Sequence, residues 1–163
     1  MKLSLVGAAG KMGKALTSEV QQNKEFEITN YVVKPNSFLV GKEVGSIHLN
    51  EKIDSLFVED PKNAFDMFVD FADAQNISSR IQMYKKHFKP LIFCSTGLSN
   101  DEEKNIIALS EKMPVFIAPN TSVLFLPVID GTFISEEIRI PTICQRITEV
   151  HICIPHVTRN SRL

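Results

Sequence analysis

The chain has 163 residues, 44% of them hydrophobic and 23% charged, with a formal net charge of −1. That is enough for one good core, and it leaves no broad basic surface for nucleic acid or for an anionic membrane. No apolar run is long enough to span a bilayer, the N-terminus lacks a signal-peptide layout, and Cys94, Cys144 and Cys153 lack C-x-x-C spacing, so reduced core thiols in a cytoplasm are expected rather than disulfides or a metal site.

The first apolar run predicts a strand over 3–6. It ends in Gly7, Gly10 and Gly13, and a helical pattern follows over 14–23 with Ala15, Leu16 and Val20 at helical spacing. Glycines at this spacing have a physical use. The first permits the tight turn, the second lets backbone approach a pyrophosphate without a Cβ in the way, and the third lets the helix pack closely on the strand. Packing alone could explain them, but a position directly after an apolar strand is the context in which a dinucleotide is bound.

A second strand is predicted over 26–33, ending in the loop Lys34-Pro35-Asn36. Residues 39–56 are mixed: Gly41 and Gly45 suggest a loop, and 47–49 a short strand. Asp60-Pro61 opens a short helix or turn. A strand over 67–71 carries Asp70-Phe71 at its end and Ala72-Asp73 beyond it, a helix spans 74–86, and a strand over 90–94 leaves through Ser95-Thr96-Gly97. Ser99, with acids after it, reads as an N-cap for a helix running to about Glu111. A strand over 114–118 precedes Pro119-Asn120-Thr121-Ser122. Residues 123–131 are apolar and read as helical despite Pro127, and a last strand is expected over 147–154.

Strands alternating with helices predict an α/β fold with a parallel, doubly wound sheet and right-handed crossovers. Ligands bind beyond the C-terminal ends of such strands. The loops at 7–13, 33–36, 71–73, 95–97 and 119–122 should therefore converge along one edge. Neither G-x-S-x-G nor G-K-[S/T] occurs, which argues against a serine-hydrolase elbow and a P-loop.

These motifs resemble one family. VGAAGKMG over 6–13 is similar to the V-G-A-x-G-R-M-G opening of the bacterial dihydrodipicolinate reductases. VDFA at 69–72 resembles their V-D-F-T, CSTG at 94–97 their G-T-T-G, and APNTSV at 118–123 their A-x-N-x-S-x-G. Glu149-Val150-His151 resembles the start of their E-x-H-H-x-x-K-x-D-x-P-S-G-T motif. Order and spacing hold from residue 1 to about 151. The resemblance implies a Rossmann-type nucleotide domain over 1–123 and the start of an α+β substrate and oligomerisation domain over 124–163, in a family of cytoplasmic homotetramers. It implies an oxidoreductase of lysine and diaminopimelate biosynthesis that transfers hydride from NADPH or NADH to a small molecule, the cyclic dicarboxylate 4-hydroxy-tetrahydrodipicolinate. Cofactor contacts are implied at Gly7, Ala8, Ala9, Gly10, Lys11, Met12, Val33, Lys34, Ser95, Thr96, Gly97, Ala118, Pro119, Asn120 and Thr121. His151 falls on the family's proton-transfer histidine, a role that suits an imidazole.

An acid at the end of the second strand accepts from a ribose 2′-OH, whereas a cation there favours a 2′-phosphate. The family's acidic position falls on Val33, and Lys34 follows. NADPH is therefore expected ahead of NADH, the other reading of Lys34 being a solvated loop residue. Beyond His151 the sequence departs from the family. Ile152 stands at the second histidine, Pro155 at the lysine, and Arg159-Asn160-Ser161-Arg162 at the Pro-Ser-Gly-Thr. The dicarboxylate cradle is then missing unless His156, Arg159 or Arg162 supplies it. The tail reads as truncated or altered, and the chain as a weak or inactive reductase with a sound cofactor site. A catalytically inactive dinucleotide-binding module and another Rossmann reductase are the alternatives.

Overall fold

A computed structural model of the chain describes residues 1–49, 53–118 and 151–153. Among them, strands β1 (Lys2–Val6), β2 (Glu27–Val32), β3 (Phe57–Val58), β4 (Met67–Asp70), β5 (Leu91–Phe93), β6 (Val115–Ile117) and β7 (His151–Cys153) form one sheet in the order β3-β2-β1-β4-β5-β6-β7. The first six are parallel, and β7 runs antiparallel to β6 with His151 opposite Ile117. The helices are α1 (Lys11–Gln22), α2 (Val44–His48), α3 (Ile77–His87) and α4 (Asn100–Ile107), the last continuing into a turn of 3-10 helix over Ala108–Glu111.

The parallel strands are mostly apolar because both faces of the sheet are covered, although Ser4 of β1, Asn30 of β2 and Asp70 of β4 are buried polar exceptions. Leu5 of β1 packs with Leu16 and Val20 of α1 on one face. Phe68 of β4 and Phe93 of β5 pack with Ile81 and Tyr84 of α3 and Ile106 of α4 on the other. The sheet is thus doubly wound. Strand order reverses between β1 and β4, the crevice in which such folds take their ligands. Among the described residues no helix is long and apolar enough to cross a membrane.

The elements depart from the sequence expectations where local geometry overrides pattern. Helix α1 begins at Lys11 rather than at 14, because Gly10 (φ −74°, ψ 171°) serves as an extended N-cap and Gly13 lies inside the helix. Residues 47–49 are not a strand. Ile47 and His48 close α2, and Leu49 ends it in the left-handed region at φ 54°. Strand β3 went unforeseen: two residues are too few to show a period, and it is defined by pairing with Tyr31 and Val32. Asp60 lies in a bend, and α3 starts at Ile77, after Asn76 at φ 58°. The Ser99 cap is present as a full capping box with Glu102. The boundary expected at 123, the helix over 123–131 and all but 151–153 of the last strand lie outside the described residues.

Helix α2 braces the first turn from outside. His48 Nε2 donates to the Ala8 carbonyl at 3.0 Å, which fixes the Nε2–H tautomer, and Lys14 Nζ donates to the Ile47 carbonyl at 2.9 Å. The imidazole lies between Tyr31 and Phe57, each ring centroid 5.9 Å away, and its buried Nδ1 has no hydrogen-bond partner. Burial pulls the imidazole below its usual 6.5; the Ala8 carbonyl opposes this and the Lys14 charge adds to it. The unfolded chain therefore binds this proton more readily than the folded one. The contribution is present above pH 6.5 and is lost as pH falls below it. Denaturant titrations from about pH 7 to about pH 5 should show stability falling, and His48→Gln, which keeps a donor for Ala8 but cannot titrate, should flatten that slope. The same slope in both proteins would assign the loss elsewhere.

Candidate functional site

A cleft of about 470 Å³ opens at the C-terminal ends of β1, β2 and β4. Gly7, Ala9 and Gly10 from the first turn form part of its wall, Val33 and Lys34 come from the end of β2, and Asp73 and Arg80 from the loop after β4 and from α3. Three of the five loops expected at this edge, 7–13, 33–36 and 71–73, line the cleft; 95–97 is not among its lining residues, and 119–122 lies outside the described residues.

The first turn is held by its own amides. The Gly7 and Ala8 N–H groups both donate to the Val32 carbonyl, at 3.0 and 3.1 Å, and the Gly10 N–H donates to the Gly7 carbonyl at 3.0 Å. Gly7 sits at φ +78°, and a Cβ there would lie 2.6 Å from the Ala72 nitrogen. At Gly13 a Cβ would lie 2.5 Å from the Gly7 oxygen. Gly10 differs: an added Cβ meets only the Gly7 oxygen, at 3.3 Å, so its free side is open. Helix α1 has no side-chain cap and no acid in its first turn, which carries Lys11 and Lys14 instead. Its first N–H groups lack intrahelical acceptors, so the cleft meets an uncapped, positively polarised helix end beside two cations, the chemistry of an anion cradle.

At the end of β2, Val33 is buried and its N–H donates to the Val58 carbonyl, while Lys34 is exposed. Asn36 follows in the left-handed region, its N–H donating to Glu59 Oε1 at 2.7 Å. Phe38 is 77% exposed on the cleft wall, with the Lys42 ammonium 4.8 Å from its ring centroid. Glu59 therefore brings to this cleft a carboxylate that the sequence around Val33 does not show.

Behind the β4 loop lies a buried charge network. Asp70 is fully buried and Arg80 is 7% exposed. Arg80 Nε lies 3.2 Å from Asp70 Oδ2, a charge contact without hydrogen-bond alignment. Nη1 donates to the Asp73 carbonyl, and Nη2 reaches Ser95 Oγ at 3.4 Å. Tyr84 O–H and the Ala72 N–H donate to the Asp70 carboxylate. Burial pushes the Asp70 carboxyl up, against the pull of Arg80 and these donors. Burial, with the Asp70 charge beside it, holds the Tyr84 phenol well above its ordinary value.

The residues singled out in the sequence divide accordingly. Gly7, Ala9, Gly10, Val33 and Lys34 line the cleft. Ala8 is buried beneath it, and Lys11 and Met12 are exposed at the start of α1. Ser95 is 4% exposed and turned toward Arg80, whereas Thr96 and Gly97 are exposed beyond it. Ala118 is buried, its N–H donating to the Phe93 carbonyl. Pro119, Asn120 and Thr121 lie outside the described residues, as do His156, Arg159 and Arg162. His151 opens β7 opposite Ile117, the last residue of β6, and thus stands at the C-terminal edge of the parallel strands. Sequence reasoning missed Phe38, Glu59 and Arg80. Arg80 reads as an ordinary helix cation until α3 is placed, and only then do residues 70, 73, 80 and 95 come together.

The chain is 32% identical over 125 residues to the 4-hydroxy-tetrahydrodipicolinate reductase of Chromohalobacter salexigens. It is 30% identical over 125 residues to the protein of the same name from Buchnera aphidicola subsp. Acyrthosiphon pisum. Each match covers 75% of this chain and 46% of the relative, so the chain spans about half the length of the curated relatives it matches. The dipicolinate-bound dihydrodipicolinate reductase of a Paenisporosarcina species overlays 74% of this chain on 48% of its own, with a TM-score of 0.49 and 16% identity. Residues 1–121 match the family described as "Dihydrodipicolinate reductase, N-terminus", and the chain belongs to that family.

Proposed function

We propose that this chain is the nucleotide-binding part of a reductase that uses NADPH, with NADH as the weaker cofactor, to reduce 4-hydroxy-tetrahydrodipicolinate. The observation that carries the reading is the open side of Gly10 at the uncapped start of α1, facing a cleft at the topological switch point. A dinucleotide fits this cradle. Its pyrophosphate would meet the first-turn amides, with Lys11 and Lys14 adding charge, its 2′-phosphate would pair with Lys34, and its nicotinamide end would lie toward Thr96 and Gly97. The nicotinamide supplies hydride when bound.

The chain's own residues contribute position and charge. Gly7 and Ala8 fix the turn by giving their amides to Val32, so the amides left for a phosphate are those of the helix start. Lys34 is a point charge on a mobile stem and binds a phosphate without the two-pronged geometry of arginine. His151, at the same sheet edge by register, is the residue assigned to proton transfer. The departures at Ile152 and Pro155 favour a second reading, a dinucleotide-binding module without turnover.

Three outcomes test this. Gly10→Leu should lower the melting temperature only modestly, because its Cβ has one close neighbour, the Gly7 carbonyl oxygen at 3.3 Å, yet abolish NADPH binding in calorimetry. Retained affinity would remove the glycine turn from the site. Lys34→Glu should weaken NADPH about tenfold relative to NADH, the scale of one charged phosphate contact, and equal losses would take Lys34 away from the 2′ position. With freshly generated substrate, NADPH oxidation should run roughly 10²–10⁴-fold below that of a relative bearing the full motif, the usual cost of a lost general acid. Normal turnover would instead credit His156, Arg159 or Arg162 with the missing role.

A further inference from the structure

A buried ion pair is a poor way to stabilise a core, since desolvating two charges offsets most of their attraction and a well-packed apolar substitute is often as good. The Asp70–Arg80 pair is nevertheless built into the wall of the cofactor cleft, and what it holds there is backbone. One face of Asp70 takes the Ala72 N–H at 2.7 Å. The two Nη atoms of Arg80 divide between the Asp73 carbonyl and the Ser95 hydroxyl. A single carboxylate–guanidinium unit on β4 and α3 thus grips the loop after β4 and the loop after β5 together.

The glycine turn joins the same chain of contacts. A Cβ on Gly7 would lie 2.6 Å from the Ala72 nitrogen and 2.8 Å from its Cα, so the two backbones touch there. From the pyrophosphate cradle the contacts run through Ala72 and Asp73 to Arg80, and from Arg80 to Ser95, immediately before the exposed Thr96 and Gly97. The cradle and the lysine that would meet the 2′-phosphate lie on one side of Arg80. The loop reached by the other end of an extended dinucleotide lies on the other.

We propose that Arg80 is a positioning residue for the whole dinucleotide: through Asp73 and Ser95 it sets the spacing between the loop beside the pyrophosphate and the loop beside the nicotinamide. The inference rests on the NADPH-binding reading above. A ligand that engages both loops gains from the fixed spacing, because the ordering has been done before it arrives. A ligand that reaches only the adenosine side gains nothing from it.

The test compares NADPH with 2′,5′-ADP, which lacks the nicotinamide end, by calorimetry on the full chain. Arg80→Lys keeps a charge opposite Asp70, but its compact ammonium cannot serve Asp73 and Ser95 at once. Ser95→Ala cuts only the second loop from the network. Both should weaken NADPH about tenfold and 2′,5′-ADP less than about twofold. Tyr84→Phe removes a donor from the same carboxylate but touches neither loop. It should lower the melting temperature and leave the ratio of the two dissociation constants unchanged. Equal losses for both ligands in Arg80→Lys and Ser95→Ala, or no loss for either, would overturn the proposal and reduce the pair to a fold element. If Arg80→Lys does not fold, Ser95→Ala decides alone. A wild-type chain that bound neither ligand would bring down the NADPH reading itself, whereas NADPH binding with unshifted ratios would bring down only the role of Arg80.

Discussion

Between helix α1 and the turn that precedes it there is room for a hydrogen atom at Gly13 and for nothing larger. A Cβ there would come within 2.6 Å of two successive carbonyl oxygens, those of Gly7 and Ala8. Backbone carbonyls in a turn cannot step aside as a flexible side chain does. The helix therefore lies against the turn at a distance set by bare backbone, and that distance decides where its first amides emerge. Move α1 outward by the width of a methyl group and the amides withdraw from the cleft, while the Thr17 hydroxyl, bonded to the Gly13 carbonyl, moves with them. The cradle's chemistry is generic; its placement rests on this contact.

The turn is also gripped from both flanks, by devices of different kinds. On the β2 side the grip is a neutral imidazole seated among aromatic rings, with one nitrogen on the Ala8 carbonyl. On the β4 side it is a charged pair under the Ala72 backbone. Neither belongs to the glycine pattern, and both come from elements far along the chain. A sequence motif of eight residues thus depends on residues 40 to 70 positions away for its shape, which is why the motif alone predicts an activity less well than it predicts a fold.

The sheet was legible for a plain reason: β1, β4, β5 and β6 are buried almost throughout, so they appear as largely apolar runs between helices. The glycines were legible because a turn at φ +78° and a helix in contact with carbonyls leave few other residues possible. Two things could not be read. Strand β3 consists of Phe57 and Val58 and has no period to detect, and without it nothing placed Glu59 beside Asn36. The polar wall of the cleft was hidden as well. Arg80 lies three residues into α3, and its partners come from β4, from the loop after β4 and from the loop after β5; no spacing rule joins them, and only the three-dimensional packing of α3 on the sheet does so. Ala8 and Ser95 are a different case. Both fall inside recognisable motifs, yet each turns inward to support the wall.

Strand β7 gives the sheet an unusual boundary. It follows β6 by more than thirty residues, runs in the opposite direction and covers the outer row of β6 amides and carbonyls. The stretch that matches the family ends at 121, before β7 begins. A polypeptide cut to that stretch would keep the three glycines of the first turn and every cofactor loop up to Thr121, and it would also present β6 as a bare edge, three residues long, whose donors and acceptors have lost their covering strand. Unpaired edges recruit strands from other molecules. The sheet that carries the nucleotide site is therefore discontinuous in the chain: one of its seven described strands lies outside the segment that the sequence match delimits.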